Sequence, residues 1–117
     1  MIKAYEQGAR SVFLVRPEHL NHQGNLFGGH LMAAVDTIGY CLLRQEFADR
    51  MFVTRAAEIN FERPAHVGDV IVFEARILNL GTTSVQIEVV GAIEGSVICT
   101  AGMTFVNIGP DGKKLPL

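Results

Sequence analysis

Between Leu31 and Leu43 the chain carries a single charged residue, Asp36. Around it Leu31, Met32, Ala34, Val35, Ile38, Cys41 and Leu42, with Phe47 further on, recur at helical spacings in residue types that favour helix, which predicts one long helix from about Gly29 to about Asp49. A helix that is apolar on nearly every side has to be wrapped by other structure. With 117 residues the chain reads as a single domain over residues 1–117, so the wrapping has to come from the segments that flank the helix.

Those segments read as strands. Ser11 to Val15 is a short apolar run closed by Arg16 and Pro17, a proline being unable to continue a ladder. Glu18 to Gly29, with its glycines, asparagines and histidines, has no period and reads as a loop. After the helix, Phe52 to Phe61 alternates apolar with polar residues, and Val70 to Leu80 follows the break at Pro64 and Gly68-Asp69. Val85 to Ile93 follows the turn signal around Gly81, and Val97 to Ile108 follows Glu94-Gly95, a tight hairpin signal. Long strands joined by short turns make an antiparallel sheet, and one apolar helix requires that sheet to curl around it. The predicted fold is therefore α+β, a curled antiparallel sheet wrapped around one long central helix. Its outer face and edges are left for a partner subunit to cover.

Composition narrows the function. Ten Lys and Arg stand against twelve Asp and Glu, for a net charge of -2, and Arg50, Arg55, Arg63 and Arg76 fall on separate elements instead of forming a basic stripe, so no nucleic acid partner is expected. Met1 to Gly8 lacks the apolar run of a secretory leader, and no later segment offers the roughly 18 uncharged apolar residues of a membrane span, which together point to the cytoplasm. Cys41 and Cys99, without further ligands at metal spacing, read as reduced core thiols.

Asp36 is the feature that calls for chemistry. Burying an unpaired carboxylate is costly, so such a residue is paired, turned to solvent or an interface, or used. Arg44 lies eight residues on, beyond the reach of an i, i+4 pair. Upstream, Gly28 and Gly29 immediately precede the helix, where first-turn N–H groups lack partners and the dipole favours an oxyanion; a tight turn is the alternative reading of the same glycines. With the amide of Asn21, these groups form a carbonyl-polarising and water-activating set. No G-x-S-x-G elbow, H-E-x-x-H or Cys–His combination is present.

The string Asn21-x-x-Gly24-x-x-Phe27-Gly28-Gly29 followed by Asp36 resembles the loop and central helix of the hotdog-fold acyl-CoA thioesterases. Val53-Thr54, Asn60-Phe61-x-x-Pro64-x-x-Val67-Gly68-Asp69 and Gly81-x-x-Ser84 are similar to strand and turn signatures of the same group, so the likeness runs from about Arg16 to about Val106. Phe27 stands where a neighbouring branch of the family has His, which places the chain nearer the bacterial broad-range acyl-CoA hydrolases.

The resemblance implies hydrolysis of an acyl-CoA to free acid and CoA, with no cofactor beyond the CoA of the substrate. It implies Asp36 as general base or nucleophile, Asn21 as the amide that positions water or carbonyl, Gly28 as the backbone donor to the thioester oxygen, and Thr54 as a hydroxyl that helps hold the water. A site shared between two subunits of a homodimer, tetramer or hexamer is implied as well. Gly29 and Phe27 belong to the substrate-binding loop. Arg63, a loop arginine, is the first candidate for the CoA phosphates, with Gly81, Thr82, Thr83 and Ser84 supplying amides and hydroxyls and Lys113 and Lys114 as further cations. Leu31, Met32, Val35 and Tyr40 are expected to set acyl-chain length. Two other activities fit a hotdog chain: a dehydratase or hydratase, for which His30 and Asp36 are the available pair but project on different helix faces, and a noncatalytic acyl-CoA sensor, against which Asp36 counts.

Overall fold

The computed structural model describes residues 8–117; Met1 to Gln7, where the sequence was read for a leader, lie outside the described residues. Strand β1 (Gly8–Leu14) leads through a 3-10 turn at Pro17–His19 and a loop into helix α1 (Gly28–Glu46). Four strands follow: β2 (Met51–Phe61), β3 (Val70–Leu80), β4 (Ser84–Ile93) and β5 (Ser96–Ile108). They form one five-stranded sheet in the order β1-β3-β4-β5-β2, antiparallel at every pairing. This is the curled sheet and single long helix that the sequence predicts. The helix stops at Glu46, short of Asp49, because Phe47 leaves helical geometry to pack against Phe52 with ring centroids 5.7 Å apart.

Period-two alternation builds the inner face. Ile71, Phe73, Ala75 and Ile77 of β3 are buried, as are Val85, Ile87 and Val89 of β4 and Cys99, Ala101, Met103 and Phe105 of β5. Against them α1 lays Leu31, Val35, Ile38, Leu42 and Leu43, all buried. Gly39 is the point of closest approach: a Cβ there would stand 3.0 Å from the Phe105 ring. Alternate residues face outward, and Arg76 and Glu88 pair across β3 and β4 at 2.9 Å on that outer face, an exposed contact of small energetic weight. The tight β4–β5 turn has Glu94 at φ 49 and Gly95 at φ 79, the left-handed pair that a two-residue hairpin demands.

Two expectations are corrected here. The helix is not wrapped on all sides by its own sheet, since only one side of it is buried and Met32, Asp36, Tyr40 and Cys41 are exposed. Cys41 is therefore no core thiol, whereas Cys99 is buried, and burial pushes its thiol pKa up. The uncovered side looks toward β2. This strand pairs with β5 alone, and Phe52 is its one buried residue. Ala57, Ile59 and Phe61 share the inner face with Met103, Ala101 and Cys99, yet Ala57 and Phe61 are exposed and Ile59 is only partly buried.

If the contact at Gly39 holds the helix in place, Gly39→Val should destabilise the fold by about 1–3 kcal/mol through overpacking against Phe105, despite its better helix propensity. Urea unfolding measures this, and an unchanged midpoint would mean that the contact is slack.

Candidate active site

The loop before α1 is built around Asn21. Its Oδ1 accepts hydrogen bonds from the amides of Gln23 at 2.9 Å and Asn25 at 3.2 Å, and its own amide donates to the Asn25 carbonyl at 2.7 Å. Gly24 closes this turn at φ 82. Leu26 donates to the Ala65 carbonyl and Phe27 to that of His19, both at 2.8 Å, which ties the loop to the β2–β3 connection and to the 3-10 turn. The oxygen of the Asn21 side chain is thus occupied by the loop, and its Nδ2 is left as a donor with no acceptor among the described residues.

Phe27 precedes the helix without a side-chain cap, so the first helical amides have nothing to bond. His30 and Leu31 donate back to the Phe27 carbonyl at 3.0 and 3.2 Å; Gly28 and Gly29 find no acceptor among the described residues. These are two parallel donors at the positive end of the helix dipole. The two glycines have different causes. A Cβ on Gly29 would strike the Phe27 ring at 2.5 Å, whereas one on Gly28 would meet nothing within 4 Å and its backbone does not need positive φ. Nothing inside the chain requires glycine at 28. His30 meets His19 edge-to-face with centroids 5.1 Å apart, and His19 in turn lies tilted against Phe13 at 4.7 Å, which braces the loop.

Beyond the helix start an open depression of about 360 Å³ is lined by Asn21, Gly28, Phe61, Glu62, Arg63 and Pro64 among others. Arg63 donates through Nη2 to the Ser96 hydroxyl and to the Val97 carbonyl, so the β4–β5 hairpin fixes its guanidinium. Phe61 belongs to the Asn60-Phe61 motif noted in the sequence, whereas Ser96 was not singled out. Alternation along β2 signals Phe61, but no local pattern points from Arg63 to a serine 33 residues away.

The carboxylate of Asp36 sits elsewhere on the same helix. Thr54 Oγ1 donates to Asp36 Oδ1 at 2.5 Å, a charge-assisted contact that leaves Oδ2 open to solvent. A β-bulge just after Thr54 makes Arg55 the extra residue of the edge strand; Thr54 itself pairs with Phe105 and shares its inward face. Asp36 is exposed in the single chain, which corrects the expectation of a buried acid.

Gly81, Thr82, Thr83 and Ser84 form the β3–β4 turn at the opposite end of the sheet from Arg63. Ser84 shares a rung with Val106 and Val53, beside Thr54, whereas Phe61 pairs with Cys99 at the far end. The carbonyls of Thr82 and Thr83 accept from Leu117 and Asn107 at 2.9 and 2.8 Å. Buried Asn107 in turn holds the Leu115 and Pro116 carbonyls, so Lys113 and Lys114 lie at this end too, away from the depression. Of the residues expected to set chain length, Leu31 and Val35 face the core and only Met32 and Tyr40 reach the surface.

Asp36 follows Gly28 by eight residues, a separation of about 12 Å along the helix axis.

A sequence profile described as the thioesterase superfamily matches residues 23–100, and the chain belongs to that superfamily. It is similar to the acyl-CoA thioester hydrolase YciA of Salmonella typhimurium, 37% identical over 114 residues that cover 89% of this chain and 85% of that protein. Its fold is similar to that of an acyl-CoA hydrolase from Staphylococcus aureus solved with butyryl coenzyme A, coenzyme A and coenzyme A disulfide, with TM-score 0.82 and 27% identity over 93% of this chain and 68% of that one. The staphylococcal protein has also been solved with an aspartate, a threonine or an asparagine replaced by alanine. Among the described residues no helix is long and apolar enough to cross a membrane.

Because nothing among the described residues requires glycine at 28, Gly28→Val should leave the unfolding midpoint unchanged while crowding the two free amides. Thioester hydrolysis should then fall by about 10²-fold, the usual effect of displacing a reacting group by an ångström. Full activity in a thiol-release assay would reduce Gly28 to a turn residue.

Proposed function

We propose that the chain hydrolyses acyl-CoA thioesters to the free acid and CoA at a site assembled from two copies, and that the hydrogen bond from Thr54 to Asp36 is the observation that carries this reading. Thr54 fixes one carboxylate oxygen. The other takes a proton from a water molecule as that water attacks the carbonyl carbon. The oxygen of the thioester becomes an oxyanion at the Gly28 and Gly29 amides, with the Asn21 Nδ2 beside it, and collapse of the tetrahedral species expels CoA as a thiolate. Sulfur donates weakly into a thioester carbonyl and leaves readily as thiolate, so a base and two aligned donors suffice, with no cofactor beyond the CoA of the substrate. Arg63, held by Ser96, stands in the depression beyond Gly28 as the cation for a CoA phosphate.

The two turns of helix between Gly28 and Asp36, and the open flank that carries them, support a site whose two halves come from two chains. The uncovered side of α1 and the unpaired edge of β2 provide the surface on which a second copy would close. In such a pair the Gly81–Ser84 turn belongs to the subunit that supplies Asp36, and Arg63 to the subunit that supplies Gly28. The spacing of the side chains varied in the staphylococcal hydrolase supports the assignment: its asparagine and aspartate lie 15 residues apart and its threonine 17 further on, against 15 and 18 for Asn21, Asp36 and Thr54. A cytoplasmic role in lipid metabolism fits two free cysteines.

Asp36→Asn keeps a hydrogen-bond acceptor for Thr54 but removes the proton acceptor, so kcat should fall by roughly 10² to 10⁴. Thermal unfolding should stay level, because the carboxylate is exposed and has no cationic partner among the described residues. Normal turnover with a lowered melting temperature would make Asp36 structural, and binding of acyl-CoA without thiol release by the unaltered protein would make the chain a sensor.

A mixing experiment tests the two-chain site. When Asp36→Asn and Gly28→Val subunits are refolded together, a mixed dimer of the proposed kind has one site with both native residues and one with neither. Each mixed dimer should therefore regain about half of the native activity. No recovery, with exchange of subunits verified, would place both groups in one chain.

A further inference from the structure

We propose that Met32 stands at the two-fold axis of this dimer and that its side chain closes the acyl end of both sites, so that residue 32 sets the length of acyl chain accepted. The inference rests on the two-chain site and goes beyond it to substrate selection.

Symmetry fixes the position. A two-fold axis that brings Gly28 of each helix to Asp36 of the other relates antiparallel stretches, and its foot must lie midway between those residues in both rise and rotation. Met32 is four residues from each and occupies that midpoint. Gly28, Met32 and Asp36 follow one another at intervals of four, on a stripe that drifts by only about 40° per step. The Thr54 hydroxyl on Asp36 shows that this stripe overlooks β2, the strand whose inner face the chain leaves uncovered. Met32 is 55% exposed there and so open to contact with a second copy.

The direction of the substrate supplies the second half. Sulfur and the first acyl carbon leave a thioester carbonyl on opposite sides. The depression that contains Arg63 lies beyond the start of α1, so a substrate with CoA in it and its oxygen at Gly28 points its acyl chain the other way, down the stripe. Met32 is the first side chain met on that path, about 6 Å along the axis. Leu31 and Val35 are turned into the core and cannot line it. Methionine is flexible and apolar, which suits a wall that yields to chains of slightly different length.

Two measurements test this, one of them independent of activity. In a Cys41→Ser background, Met32→Cys should be converted to a covalent dimer by a short bis-maleimide, whereas the unaltered protein, whose exposed thiol among the described residues is Cys41, should stay single-chain on a denaturing gel. A dimer by sedimentation that does not cross-link through residue 32 would overturn the placement. In kinetics, Met32→Ala should raise the ratio of kcat/KM for octanoyl-CoA over butyryl-CoA by about tenfold and Met32→Trp should lower it by a similar factor, as expected for a few methylenes gained or lost. A ratio unmoved in both variants, with the native protein releasing thiol normally, would overturn the role in length selection alone. If the native protein releases no thiol from any acyl-CoA, the proposed hydrolase reading fails instead.

Discussion

Leu31, Val35, Ile38 and Leu42 pull α1 onto β3, β4 and β5, and the missing side chain at Gly39 lets the helix come down over Phe105 instead of riding across the whole sheet. That off-centre seat governs what remains open. It leaves Ala57 and Phe61 on the inner face of β2 exposed and aims the flank with Gly28, Met32 and Asp36 over that strand. Thr54 can then reach Asp36 from below. A helix centred on the sheet would have hidden the carboxylate in hydrocarbon, where its desolvation would cost several kcal/mol.

The stiffness of the helix does further work. An α-helix holds its N-terminal amides and a side chain two turns on at a fixed separation, so α1 keeps the free amides of Gly28 and Gly29 apart from Asp36. In the proposed dimer, pairing two such helices head to tail brings each set of amides to the other's carboxylate with a single contact. The loop around Asn21 is rigid for a similar reason. Its side-chain oxygen is consumed in holding the turn, and the nitrogen is presented as a result.

Much of this was legible in the residues. The apolar run after Gly68-Asp69 gave β3 with both ends where they lie, and alternation and turn signals placed β2, β4 and β5 to within a residue at their starts; Glu94-Gly95 marked its hairpin because left-handed backbone favours such residues. Gly28-Gly29 and Asp36 stood out because a glycine pair at a helix start and a lone charge in an apolar helix are each locally odd. What the sequence misjudged was which sides of α1 are covered. Periodicity reports that Met32 and Cys41 are apolar, but not whether the neighbouring surface belongs to the same chain, so Asp36 was expected to be buried and Cys41 to be core. Contacts such as Arg63 with Ser96 were also invisible, since they depend on how strands far apart in sequence come to share one end of the sheet.

The bulge at Arg55 has a further consequence. An eleven-residue edge strand with so little charge on it is a template for unlimited strand addition. The extra residue breaks the even spacing of its free amides and carbonyls, so an incoming strand can stay in step on one side of the bulge only. At the other edge, Gln45 donates to the Gly8 carbonyl of β1. The bulge thereby blunts the β2 edge against the continued in-register strand addition from which fibrils grow.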